Sequence, residues 1–147
     1  MAAARTAETV WEGNLLQGKG TVTLKSSGAT PALPVTWASR VERADGRTSP
    51  EELLAASQAS CYAMAFSHTL AGDGTPPTRL DVTAVCTADQ VGGSLKVLSM
   101  EITVHGQVPG LDQATFEDAA RRAEQGCPIA NAIRGNVDIR LTATLDQ

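Results

Sequence analysis

The sequence predicts an α+β fold, with mostly antiparallel strands set around one long, buried central helix. Three observations predict it. Several short stretches alternate apolar and polar residues at the two-residue period of a strand. One alanine-rich stretch, Ser49 to Leu70, opens with helix-start residues and closes on glycine and proline. The order along the chain is strands, helix, two strands, helix pair, strand, which suits helices packed on antiparallel sheets.

Each element has its own justification. "TVTLK" (21–25) puts Val22 and Leu24 on one side, and the glycines of "QGKG" mark a turn before it. "LPVTWASRV" alternates again, so Leu33, Val35, Trp37 and Val41 share one strand face while Arg40 points to the other. "ERADGRT" is the loop that follows. The long helix starts with Ser49 as N-cap, Pro50 at the first helical position and Glu52 at the third, a capping box. Glu51 and Glu52 complement the positive end of its dipole. Alanine, leucine and methionine fill its body, and "GDGTPP" ends it.

Leu80, Val82, Ala84, Cys86 and Ala88 then alternate with polar residues as a half-buried strand. Gly92–Gly93 turns the chain into a strand bearing Leu98, Met100, Ile102 and Val104. A helix is expected from Asp112 to Gln125, with Gly126 as its C′ residue and Pro128 opening a short second helix, "PIANAIR". Val137, Ile139, Leu141, Ala143 and Leu145 form the last strand. Leu53, Leu54, Met64, Phe66 and the alanines spread around the long helix. A helix apolar on several sides must be covered on several sides, so a second subunit is expected.

Bulk numbers narrow the class. The 147 residues suit one domain, 1–147, able to bury a core without staples. Apolar content of 42% and charged content of 19% are those of a globular chain. A net charge of −4 and a pI near 5.1 do not suggest a nucleic-acid surface. No stretch approaches a membrane span or a signal peptide's apolar region, so a cytoplasmic protein with no membrane partner is expected. Three cysteines do not make a disulfide framework.

The cysteines differ in setting. Cys86, on the apolar face of its strand, reads as a structural thiol. Cys61 lies in mid-helix, where the dipole gives little help. It is either a core residue, the reading local sequence favours, or a nucleophile needing a nearby cation. Cys127, in "GCP", stands where one helix ends and another begins. Amides at that start could stabilise its thiolate; alternatively it fills a turn. Spacing alone does not say whether the two meet. A metal is not expected: Cys61 and His68 are separated by about 10 Å of helix rise, and no CxxC or HExxH occurs. Walker, Rossmann and serine-hydrolase signatures are absent too.

Three segments in order, "WEGNLLQGKGTVTLKSSG", "SPEELLAASQASCYAMAFS" and "VPGLDQATFEDAARRAEQGCPIANAI", resemble the OsmC/Ohr family of thiol-dependent hydroperoxide reductases, its OsmC branch above all. The likeness covers nearly the whole chain. It implies that Cys61 is the peroxidatic cysteine, Cys127 the resolving one, Glu51 the catalytic glutamate and Arg40 the arginine facing the thiol. Arg43 is the alternative, because the loop between Arg40 and Glu51 varies in length. It also implies an intertwined homodimer with two active sites at the subunit interface. Glu51 and Cys61 are about 15 Å apart along one helix, so Arg40 or the partner chain must bridge them.

The implied chemistry is reduction of organic hydroperoxides, and more weakly hydrogen peroxide. It runs through a sulfenic acid and a Cys61–Cys127 disulfide, recycled by a dithiol such as a lipoylated protein, with no cofactor. Ser49 replaces the family's frequent asparagine and caps as well. Gln58 and Tyr62 alter the neighbourhood of the thiol, and Cys86 has no family role. A second reading keeps the same cysteines as the switch of a redox sensor or hydrophobic-ligand binder.

Overall fold

The computed structural model describes residues 1–146 and divides the chain into two compact units, 1–53 and the remainder from Leu54. The first unit holds an antiparallel sheet of β1 (Ala7–Glu12), β2 (Lys19–Leu24) and β3 (Leu33–Val35), in that order. Gly20 lies inside β2 opposite Trp11 and Val35, so the turn sits earlier than expected, closed by the Gly18 N–H on the Asn14 carbonyl at 2.8 Å.

One expected strand is a correction. Alternation past Val35 does not continue: residues 37–41 form a short helix, α1 (Trp37–Val41). Local side-chain bonding outweighs the β pattern here. The Thr36 hydroxyl accepts from the Ser39 N–H, and the Ser39 hydroxyl accepts from the Thr36 N–H, both at 3.0 Å. That reciprocal capping box satisfies two amides and turns the chain. Arg40 therefore leaves the last turn of a helix rather than the outer face of a strand.

Helix α2 (Pro50–Gly72) begins as expected, with the Ser49 hydroxyl accepting from the Glu52 N–H at 3.1 Å. The Glu52 carboxylate is taken by the Thr48 hydroxyl at 2.6 Å. Its buried residues are narrower than the apolar spread suggested: Gln58, Tyr62, Phe66 and Leu70 form one stripe at four-residue spacing. Met64 is 68% exposed.

The second unit carries a sheet ordered β4 (Arg79–Val91), β5 (Ser94–Gln107), β6 (Asp138–Leu145). β4 and β5 are an antiparallel hairpin closed by Gly92 and Gly93 at φ 59° and 81°, the left-handed pair that matches strand twist. β5 and β6 pair in parallel, the exception to the expected antiparallel order. Parallel neighbours need a crossover, supplied by α3 (Gln113–Gln125) and α4 (Pro128–Ile133). Asp112 caps α3 by accepting from the Thr115 N–H at 2.8 Å. Gly126 ends α3 at φ −94°, so it does not serve as the left-handed C′ residue expected of it. Tyr62, Phe66 and Phe116 stack through tilted ring pairs at 5.6 and 5.0 Å, with Met100, Ile102, Val104 and the alanines of α3 buried in the same core.

Candidate active site

Two pairs of the expected site residues come together, one in each unit. In the first, Arg40 meets Glu51. The Arg40 Nε donates to Oε1 at 2.9 Å and to Oε2 at 3.2 Å, and Nη2 lies 2.8 Å from Oε1. The path to this pair is local. The Ser39 hydroxyl donates to the Thr48 carbonyl at 2.8 Å, tying α1 to the residues just before α2. That bond brings consecutive Arg40 within reach of Glu51 in the first turn of the long helix. A guanidinium held by two of its nitrogens loses rotational freedom and keeps a fixed fork. It also sits 6.0 Å from the Trp37 ring centroid, at the outer edge of cation–π range. Arg40 borders an open cavity of about 490 Å³ whose walls include Trp11, Leu15, Val35, Trp37 and Leu53. Arg43, just past the end of α1, is exposed; Arg40 is the arginine bound to Glu51.

In the second unit, α2 carries Cys61 and the α3–α4 junction carries Cys127. The Cys127 thiol donates to the Cys61 sulfur at 3.3 Å across 66 residues of sequence. A disulfide bond is about 2.05 Å long, so closure needs only about 1.2 Å of approach. Both thiols are reduced. Cys127 is fully buried as the N-cap residue of α4, and Cys61 is half-buried. The α4 amides play a different part from the one expected: the Ile129 N–H bonds to Cys61, not Cys127. Burial pushes the Cys61 thiol above its usual value, the Ile129 amide opposes this, and neighbouring Cys127 pushes it further up. A cation beside Cys61 would oppose this rise and favour its thiolate.

Three more side chains surround the sulfur pair. The Gln58 Nε2 donates to the Cys127 sulfur at 3.3 Å, and its Oε1 is buried without a partner among the described residues. An unsatisfied buried acceptor costs about 1–3 kcal/mol. The Tyr62 hydroxyl donates to the Ala120 carbonyl at 3.0 Å, and burial pushes its phenol well up, aided by Glu124 and Cys127. Glu124, nearly buried, forms an ion pair with Arg134 at 2.6 Å. Gln58 and Tyr62 are expected only to alter the thiol's neighbourhood, and neither Glu124 nor the Ile129 amide is marked by the sequence as part of it. A glutamine in the 58–62–66–70 stripe is the signal that would have found the role of Gln58. Backbone amides leave no trace in sequence.

Cys86 is half-buried in β4 opposite Met100, consistent with a packing thiol. Among the described residues, no group of three or more His, Cys, Asp or Glu side chains is placed to hold a metal ion, and no helix is long and apolar enough to cross a membrane.

Known proteins share both the sequence and the architecture. The family model described as OsmC-like protein matches residues 43–142. The chain is 32% identical to "Peroxiredoxin OsmC" of Escherichia coli (strain K12) over 139 residues, 95% of this chain and 96% of that one. It is 33% identical over 96 residues to the "Organic hydroperoxide resistance protein" of Xanthomonas axonopodis pv. citri (strain 306), 65% of this chain and 66% of that one. Two solved structures share the fold. An organic hydroperoxide resistance protein from Elizabethkingia anophelis has a TM-score of 0.73 at 24% identity, covering 99% of this chain and 100% of that one. An OsmC from Legionella pneumophila has a TM-score of 0.69 at 24% identity, covering 97% and 99%. With its two cysteines meeting in the matched region, this chain belongs to the OsmC-like family.

Proposed function

We propose that this chain is a thiol-dependent peroxidase that reduces organic hydroperoxides, with Cys61 as the attacking thiol and Cys127 as the resolving one. The observation that carries the reading is the 3.3 Å separation of their sulfurs. The names of its relatives, a peroxiredoxin and an organic hydroperoxide resistance protein, support the same chemistry.

The Cys61 thiolate attacks one oxygen of the O–O bond. That bond breaks, the organic oxygen leaves and is protonated to an alcohol, and Cys61 becomes a sulfenic acid. Cys127 then attacks the Cys61 sulfur; the S–O bond breaks, water leaves, and a disulfide forms. An external dithiol, for which a lipoylated protein is the favoured candidate, reduces it by exchange. No cofactor enters any step. Arg40 supplies the cation that lowers the Cys61 thiol and binds the peroxide oxygens, and Glu51 holds its fork. The Arg40–Cys61 pairing rests on the family pattern, and so does an intertwined homodimer; that the chain works as one domain in the cytoplasm rests on its length and apolar patterning. The apolar walls beside Arg40 suit an organic tail better than hydrogen peroxide.

The test is turnover of cumene hydroperoxide with reduced lipoamide, comparing wild type with Cys61→Ser. Sustained wild-type turnover that Cys61→Ser abolishes is expected. An active Cys61→Ser protein would end the assignment of the nucleophile.

A further inference from the structure

We infer that Gln58 is a positioning residue for the second half of this reaction: its amide holds Cys127 for attack on oxidised Cys61 and accepts the hydrogen of the sulfenic acid. The inference rests on the peroxidase reading above.

The geometry is unusual for a core position. Gln58 is fully buried, in a stripe whose other members are Tyr62, Phe66 and Leu70. A leucine there would pack without stranding a polar atom. Tyr62 has its own acceptor in the Ala120 carbonyl and makes no demand on the amide. The amide is instead engaged with the sulfur pair. Its Nε2 donates to the Cys127 sulfur, and Cys127 in turn donates to Cys61, so amide and two thiols form one directed chain. Its Oε1 is buried and has no partner among the described residues. Glutamine can accept twice at that oxygen, so the capacity is present and unused in the reduced protein.

Oxidation creates the missing donor. Cys61 lies three residues after Gln58, one turn along the same helix, so their side chains are neighbours. Reduced Cys61 has already been given two donors, the Ile129 N–H and the Cys127 S–H. A sulfenic acid adds an O–H at this place, and Oε1 is the acceptor waiting for it. Resolution balances as Cys61–SOH plus Cys127–SH giving the disulfide and water. The S–O bond breaks, the S–S bond forms, and the thiol proton leaves with the hydroxyl. Gln58 takes no proton in this step. Its N–H fixes the Cys127 sulfur, and its carbonyl fixes the departing hydroxyl, so both reacting groups keep their alignment.

The test is a single-turnover experiment on the reduced full-length protein with one equivalent of cumene hydroperoxide. Sulfenic acid is trapped with dimedone, and the Cys61–Cys127 disulfide is counted by mass. In Gln58→Met, similar in size but without the amide, sulfenic acid should form within about twofold of the wild-type rate, while the disulfide forms about tenfold more slowly, the loss expected for one hydrogen bond. Sulfinic acid should then accumulate at Cys61. Gln58→Asn, with the amide on a shorter stem, should slow the disulfide step alone and by less; it decides the matter if the methionine variant does not fold. An unchanged disulfide rate in a folded variant, or equal slowing of both steps, overturns the inference. Wild type that forms neither species would overturn the peroxidase reading itself, whereas wild type that forms both leaves that reading standing whatever Gln58 does.

Discussion

Glu51 grips Arg40 with both carboxylate oxygens at 2.8–3.2 Å, although the loop between α1 and α2 separates them in the chain. The side chain of Glu51 is 12% exposed and that of Arg40 33%, so the carboxylate is the sheltered partner and the guanidinium keeps an open face. That is the arrangement expected of an arginine held by one group and offered to another.

Under the mechanism proposed above, in which Arg40 activates Cys61, removing the guanidinium should move Cys61 in a defined direction. Burial and Cys127 raise its thiol pKa, and the Ile129 amide opposes them only in part. A raised value means less thiolate at a given pH, so Arg40→Ala should shift the pH profile of Cys61 alkylation by iodoacetamide to the alkaline side. The alkylation rate near neutral pH should fall with the thiolate fraction. An unchanged profile would assign the activation to another group, Arg43 first.

Cys127→Ser should separate attack from resolution. The first equivalent of organic hydroperoxide should be reduced at a near wild-type rate, after which Cys61 accumulates as sulfenic and then sulfinic acid. Mass spectrometry of the Cys61 peptide reads this directly. Normal multiple turnover in the serine variant would show that Cys127 is dispensable.

Arg134→Met should leave the Glu124 carboxylate without its charge partner, with only the Gln125 amide still donating to it at 2.9 Å. Glu124 is nearly buried, and Arg134 also donates to its backbone carbonyl at 3.1 Å. Breaking a fully buried pair costs about 3–5 kcal/mol, and the partial exposure of Arg134 reduces this to about 1–3 kcal/mol. Urea unfolding should show that loss as a lower midpoint with an unchanged slope. A midpoint equal to wild type would mean that the Gln125 amide and water suffice for the carboxylate.

Gly106→Ala should destabilise the second unit. A Cβ on this buried residue of β5 would run into the fully buried Phe116 ring. Overpacking of this kind costs about 1–3 kcal/mol. A thermal midpoint within experimental error of wild type would show that α3 shifts to make room.

Much of this was legible in residue order. Strand alternation from Leu80 to Ala88 and from Val137 to Leu145, the Ser49–Pro50 start of α2 and the Asp112 start of α3 are local signals, and each reappears as a paired strand or a capped helix. Three features were not. Residues 37–41 alternate like a strand, yet the Thr36–Ser39 bonds make them a helix. The parallel β5–β6 pairing depends on where the α3–α4 crossover returns, a long-range matter that a two-residue period does not encode. The approach of Cys127 to Cys61 is also long-range. The motifs suggested two working thiols, but only folding places the α3–α4 junction against the middle of α2. Gln58 stood out in sequence as an altered neighbour, and its bond to Cys127 became visible only with that approach.

Whether Cys61 and Cys127 work as a redox pair is tested by non-reducing peptide mapping after one equivalent of organic hydroperoxide. One dominant cross-link is expected, between the peptides bearing Cys61 and Cys127, with Cys86 recovered as a thiol. A protein that consumes peroxide without that cross-link, or that joins Cys86 instead, would contradict that pairing.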